Sequence, residues 1–393
     1  MKFWYKFLFL SIYVLAFVGC SDDREFINLN HPKDVQKNDK AEDEKNDKAE
    51  DGKVTVLQKH TIGKGIPIII MCDRFSDKDI TNGNYRKATN WALEALFSVH
   101  PMKSLRDYFD VYEVTAVCNP NQSTTTDEDS IIITPIAIDV WRYENMVMEI
   151  IGEERLEDVT AIVLCNKEFR SSSTLGFSPD YYADIPTGDA TAYISFAFGE
   201  GPMKDYFDKF DEYYHRHTLL HEAIGHCFAK LADEYVENDE WINPDYEMEH
   251  LMECQKHCVF RNVSLDSDVT KTYWADFAAD SRYDFEKLGC YEGGYYQKKG
   301  VYRPTEIGIM NTSDCVFHVF GRSMIYKRCM KIAYGDSWEF NYEDFVKFDL
   351  EKAKAEHEEI KKQYPDYSKS MRSCAPPRFV DYVSRLKDVK TRK

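Results

Sequence analysis

His217-Thr-Leu-Leu-His221-Glu222-Ala-Ile-Gly225-His226-Cys-Phe-Ala-Lys-Leu-Ala-Asp233-Glu234-Tyr235 is the stretch that decides the fold of this chain. Leu219, Leu220, Ile224, Phe228 and Leu231 make it a helix with a buried side. A helix that buries imidazole and carboxylate groups must supply them with partners. A metal ion is such a partner. Two histidines on one helix face can share it, and a glutamate beside the first can take a proton from the water it binds. Zinc suits this chemistry because it lowers the pKa of a bound water to ~7. The expected ligands are therefore His221 and His226, with Glu222 as the general base.

The spacing departs from the usual pattern. His221 and His226 are five residues apart, which on a regular helix is roughly 140° of rotation. A π-bulge absorbs one extra residue and recurs at functional sites. The distortion is expected between Glu222 and His226, across Ala223–Gly225. Pairing His217 with His221 would restore i,i+4 spacing but would leave no glutamate between the ligands. A straight helix would carry Asp233 about 10 Å past His226, so the chain must turn after Lys230 for a carboxylate to reach the same ion. Asp233 is the expected third ligand, with Glu234 as the alternative. Tyr235 and His318 receive no role.

Around this helix, the pattern alternates. Strands are expected at Ile66–Met71, Val111–Cys118, Ile131–Thr134, Val159–Cys165 and Ala192–Phe198, and helices at Asn84–Val99, Arg142–Glu154 and from Tyr214. Strands alternating with helices favour an α/β layer architecture. Ala192–Phe198 is expected at the edge of a cleft, where an extended peptide could add to it through main-chain hydrogen bonds. The C-terminal part reads as mostly helical, notably the charged segment Tyr342–Gln363, whose charges mark a solvated face.

The N-terminus reads as a targeting segment. Lys2 and Lys6 flank an apolar run that ends in Phe17-Val-Gly-Cys20, similar to a bacterial lipoprotein signal with Cys20 as the lipidation site. Residues 1–19 are then the signal and 20–53 a flexible charged tether, in which Lys37–Asp43 is repeated almost unchanged at 45–51. Such a segment cannot bury enough surface to offset its chain entropy. A catalytic domain is expected over 54–393, and 43% hydrophobic residues suffice for its core. The net charge of −18 argues against nucleic acid as a partner, since phosphate binding needs a basic surface. Export permits disulfides among the cysteines other than Cys20. Cys254 and Cys258 stand at helical i,i+4 spacing, and Cys315 and Cys329 bracket a loop. No paired Cys-x-x-Cys motif supports a thiolate zinc site.

The segment from His221 to Tyr235, with its Asp-Glu-Tyr ending, resembles the IgA-peptidase family of zinc metallopeptidases, in the Bacteroidetes lipoprotein form with His-Glu-x-x-Gly-His. Asp73-Arg-Phe, Ala95-Leu-Phe97 and Tyr108-Phe-Asp-Val-Tyr112 are similar to the start of that family's domain. Gly308-Ile-Met310-Asn311 is similar to its Met-turn, where a methionine lies beneath the metal. The resemblance implies a metzincin-like fold: a mixed twisted sheet, an active-site helix and a helical C-terminal part. It also implies Zn2+ as cofactor, a protein or peptide substrate, Met310 in a structural role, a monomer, and an outer-membrane, lipid-anchored location. The chain departs from the family pattern at Ala229-Lys230, where many members carry glycine. Two alternatives stand beside it. One is a non-catalytic surface lipoprotein that binds peptide or glycan on a peptidase fold. The other is a relative of dipeptidyl peptidase III, whose third ligand is a distant glutamate.

Overall fold

The computed structural model describes residues 49–118, 136–167, 169–177, 185–196, 212–237, 244–311, 316–363 and 377–381. Cys20, the expected signal and most of the expected tether lie outside them, as does the expected strand Ile131–Thr134. Within the expected tether, the last residues already belong to the fold. The Ala49 amide donates to Asp77 at 2.9 Å, and Asp51 pairs with Arg142 at 2.7 Å.

The chain is a mixed α/β fold. Its strands are β1 (Val54–Gln58), β2 (Ile66–Asp73), β3 (Phe109–Val114), β4 (Thr160–Cys165), β5 (Ser172–Phe177), β6 (Ala190–Ser195), β7 (Tyr291–Gly294), β8 (Gln297–Arg303) and β9 (Arg378–Asp381). Seven of them form one sheet in the order β1-β3-β2-β4-β6-β5-β9, and β7 with β8 forms a separate hairpin. The central pairs β3/β2, β2/β4 and β4/β6 are parallel, β1 and β5 run antiparallel to their inner neighbours, and β9 is parallel to β5.

Apolar runs explain the central strands. β2 and β4 are buried along their whole length, as expected for parallel strands covered on both faces. Alternate residues point to opposite layers. Ile66, Ile68, Ile70, Ile162 and Leu164 join the core that holds helix α2 (Asn84–Leu96) and the histidine-bearing helix. Ile69, Met71, Ala161 and Val163 pack against helix α4 (Val140–Ile151) on the other face. The short helices α1 (Asp77–Thr81) and α3 (Met102–Leu105) flank α2. Helix α5 (Glu212–Leu219) runs directly into a π-helical segment, Leu220–Phe228. Beyond it come α6 (Pro244–Lys256), α7 (Ala275–Ala279), α8 (Val319–Tyr334) and α9 (Tyr342–Gln363). Among the described residues no helix is long and apolar enough to cross a membrane.

One expectation needs correction. Ala192–Phe198 is not at an edge: β6 lies between β4 and β5, so both of its sides are already bonded. The strand beyond it, β5, is Ser-rich and carries no apolar run to announce it. The C-terminal part is mostly helical, as expected, and also holds the β7–β8 hairpin and β9. No disulfide joins any two of the described cysteines, so Cys254 and Cys258 are not bridged to each other. Cys315 lies outside the described residues.

A buried ionic cluster fastens α8 and α9 to the rest. The Arg322 guanidinium donates to both Asp349 oxygens, at 2.7 and 2.8 Å, and to Glu286 at 2.6 Å. His100 and Tyr283 complete the shell of Asp349 at 2.9 and 3.1 Å. Burial alone would raise the pKa of Asp349, but the Arg322 charge outweighs it and holds the carboxyl at about 2. Burial pushes the His100 imidazole down, against the pull of Asp349. Both groups bind fewer protons in the folded state, so both contributions to stability are lost on acidification. Stability should fall as pH drops below the ordinary histidine value of 6.5, and more steeply below the ordinary carboxyl value of 3.8. Asp349→Asn removes the second phase and, by leaving Arg322 undercompensated, should cost about 3 kcal/mol in urea unfolding at neutral pH.

Candidate metal centre

His221, Glu222 and His226 all lie in the π-helical segment and are buried. In a π-helix the backbone bond runs from i to i+5. The Ala229 amide accordingly donates to the Ile224 carbonyl at 2.8 Å. Residues 221 and 226 are thus one bonded turn apart, and their rings meet edge to face with centroids 4.7 Å apart. The distortion expected at Ala223–Gly225 is present and extends over the whole segment. Gly225 has a packing role as well. A Cβ there would lie 2.3 Å from Met310 Sδ, so the missing side chain lets Met310 seat against the helix.

Each imidazole is oriented by a carbonyl. His221 Nδ1 donates to Ile309 O at 2.9 Å, and His226 Nδ1 donates to Leu231 O at 2.7 Å. A carbonyl only accepts, so Nδ1 carries a proton, and each ring in its neutral form presents the Nε2 lone pair. Both lone pairs face one carboxylate oxygen. Asp233 Oδ1 is 2.9 Å from His221 Nε2 and 3.2 Å from His226 Nε2. The His226 Nε2 atom is buried and makes no hydrogen bond.

The chain reaches this arrangement by the turn that the distance argument requires. Lys230 takes a left-handed conformation with φ of 53°, the backbone state that favours glycine. Its buried ammonium donates to Asp189 O at 3.1 Å. Asn262 then clamps the returning strand, bonding both the amide and the carbonyl of Ala232 at 2.7 and 2.9 Å. When the rings are protonated instead of neutral, the charge of His226 and the hydrogen bonds from His221 and His226 outweigh the burial that would raise the Asp233 pKa. The carboxylate is held well below its usual range.

Asp233 and Glu234 part ways here. Asp233 Oδ2 accepts from the Tyr296 hydroxyl at 2.6 Å. Glu234 turns elsewhere: its Oε1 accepts from Asn262 at 2.8 Å and from His318 Nε2 at 2.7 Å. His318 is therefore engaged within the fold, with its Nδ1 capping helix α8 through the Gly321 amide at 3.1 Å. The Glu234 amide donates to Met310 O at 2.7 Å, so the 308–311 segment holds both a histidine ring and the backbone beside Asp233. His217 stands one helical turn before His221, with ring centroids 5.8 Å apart, and adds no ligand atom to the cluster. Tyr235 stacks on His221 with ring centroids 6.5 Å apart, and its hydroxyl accepts from Arg170 at 3.5 Å.

The donors fit a divalent metal. Two atoms each bound to one tetrahedral zinc at ~2.0–2.1 Å stand about 3.3 Å apart. The Nε2–Oδ1 separations of 2.9 and 3.2 Å are close to that. Imidazole and carboxylate together suit several divalent transition metals, zinc among them. One ligand-capable oxygen of Glu222 also lies within 4.8 Å of the imidazole nitrogens. Asp233 is the better third donor because a single oxygen of it faces both rings. Tyr296, Asn262 and the Ile309 carbonyl escape sequence reasoning, since no spacing links them to the histidines.

Gly225→Ala should cost about 1–3 kcal/mol by overpacking against Met310. Combining it with Met310→Ala should destabilise by less than the sum of the single changes. A double-mutant cycle on unfolding free energy reads that coupling; strict additivity would show that the contact is not responsible.

No family model matches the chain, and no curated protein matches it.

Proposed function

We propose that this chain is a zinc-dependent endopeptidase of metzincin-like form, exported and lipid-anchored through Cys20. The observation that carries the reading is the convergence of two imidazole lone pairs, with their protons committed to carbonyls, on one oxygen of a buried carboxylate. Three electron-pair donors facing one point repel each other unless a proton or a metal cation lies among them.

His221, His226 and Asp233 would hold the ion. Zinc bound there supplies Lewis acidity and lowers the pKa of a water that it binds. Glu222 follows His221 directly and is fully buried. It takes the proton from the attacking water and passes it to the leaving amine, as general base and then general acid. Burial of the whole cluster keeps bulk water away from these charges, which strengthens their effect. Met310 supports the helix beneath the histidines, and Gly225 makes room for it.

The non-catalytic alternative drew its support from the five-residue spacing. The π-helical segment explains that spacing as the means of bringing both imidazoles together, which removes the support. A distant glutamate as third ligand is likewise less favoured, because Asp233 faces both rings. The peptide substrate, the envelope location and the monomeric state rest on the sequence resemblance and the N-terminal segment.

Glu222→Gln should retain one zinc per chain and lower cleavage of a broad peptide library by at least about 100-fold. His226→Ala should lose the stoichiometric zinc. Cleavage at the parent rate by Glu222→Gln would remove Glu222 as the base. Stoichiometric zinc in the parent with no cleavage of the library would favour the binding protein instead.

A further inference from the structure

The turn of the β7–β8 hairpin is backbone-strained. Tyr295 and Tyr296 follow one another with φ of 47° and 67°. Non-glycine residues rarely take this region, and each costs of order 1 kcal/mol or more there. Strain of this kind persists only where the surroundings over-determine it. Here the surroundings are the strip that carries Asp233. The Tyr295 amide donates to Asp233 O at 2.9 Å, the Tyr296 amide donates to Tyr235 O at 3.0 Å, and the Glu237 amide donates to Tyr296 O at 3.2 Å. The two adjacent hydroxyls then diverge. Tyr295 Oη bonds His250 Nδ1 at 2.7 Å, whereas Tyr296 Oη donates to Asp233 Oδ2 at 2.6 Å.

We propose that Tyr296 is a positioning residue for the metal: its hydroxyl occupies Asp233 Oδ2 and so restricts this carboxylate to one ligating oxygen. The inference rests on the metal-site reading given above. A carboxylate has two oxygens and can bind an ion through one or both. Only Oδ1 faces the imidazoles. Oδ2 would have to give up a short hydrogen bond inside a buried site to join it, and an unmade buried bond is costly. Tyr296 thereby sets the protein's donors at three, two nitrogens and one oxygen, and keeps the fourth position open for water and substrate. Partners of this kind behind ligating side chains typically contribute 10–100-fold to metal affinity. The strained turn is the element that carries the hydroxyl to the carboxylate.

The test uses the full chain stripped of metal. Tyr296→Phe keeps the ring and removes the hydroxyl. Its zinc affinity, read by competition with a chromophoric chelator, should fall 10–100-fold. With Co2+ in place of zinc, the visible ligand-field band should weaken as Asp233 goes from one bound oxygen to two. The thermal midpoint of the metal-free variant should fall somewhat with the lost buried hydrogen bond, as that of Tyr295→Phe does with its own. Tyr295→Phe removes the neighbouring hydroxyl from the same turn and should leave both the affinity and the cobalt band unchanged. Parent-like affinity and spectrum in Tyr296→Phe would overturn the proposal. An equal loss of affinity in Tyr295→Phe would also overturn it, by showing a merely structural role. His226→Ala separates the two readings: parent-like metal binding in that variant would refute the metal site itself, whatever Tyr296 does.

Discussion

A carboxylate buried against two imidazole nitrogens is costly to assemble, and much of this molecule is arranged around that cost. Asp233 is fully removed from water, which by itself opposes its charge. It keeps the charge where a ring proton or a metal ion lies between Oδ1 and the imidazoles, and Tyr296 donates to Oδ2. Each of those partners is held in turn. The rings are oriented by Ile309 O and Leu231 O, and the tyrosine is carried by a hairpin turn bonded to the backbone beside Asp233. A donor set with such backing would lose little order on binding an ion, which is how affinity is gained from a preorganised site.

The sheet supplies the rigid base. Its central parallel strands are buried on both faces, and the histidine-bearing helix packs on one face while α4 covers the other. The π-helical segment is a local cost accepted at that surface. It gives up regular i,i+4 bonding, and in return it turns two histidines five apart toward one point. Gly225 and Met310 show the same coupling at the level of volume: the helix side chain is absent where the methionine of a distant segment must fit. Arg322 and Asp349 act farther away, binding α8 to α9 so that His318 caps a fixed helix.

The legible parts of the fold are those where one residue pattern admits one local structure. Ile66–Asp73 and Thr160–Cys165 are continuous apolar runs, and Tyr342–Gln363 has helical length and charge distribution. The strand β5 was not legible, because Ser172-Ser-Thr-Leu-Gly-Phe177 carries little β-propensity and is a strand through its neighbours. Ala190–Ser195 was recognised as a strand but misplaced at the edge, since strand order depends on pairing between segments far apart in the chain. The β7–β8 hairpin was hidden for a different reason: its turn uses two tyrosines in a conformation that sequence rules assign to glycine or asparagine.

The amino-acid sequence alone determined the helix, its two histidines and glutamate, the need for a distortion between residues 222 and 226, and the need for a turn after Lys230. These follow from the geometry of one contiguous helix, in which angle and rise are set residue by residue. Tertiary structure decided which of two adjacent carboxylates faces the imidazoles. Asp233 and Glu234 are equivalent by spacing. They are sorted by Tyr296 on one side and by Asn262 and His318 on the other, all brought from 28 to 84 residues away. A buried charge goes to the partners that can compensate it, and those partners are known only once the chain has folded.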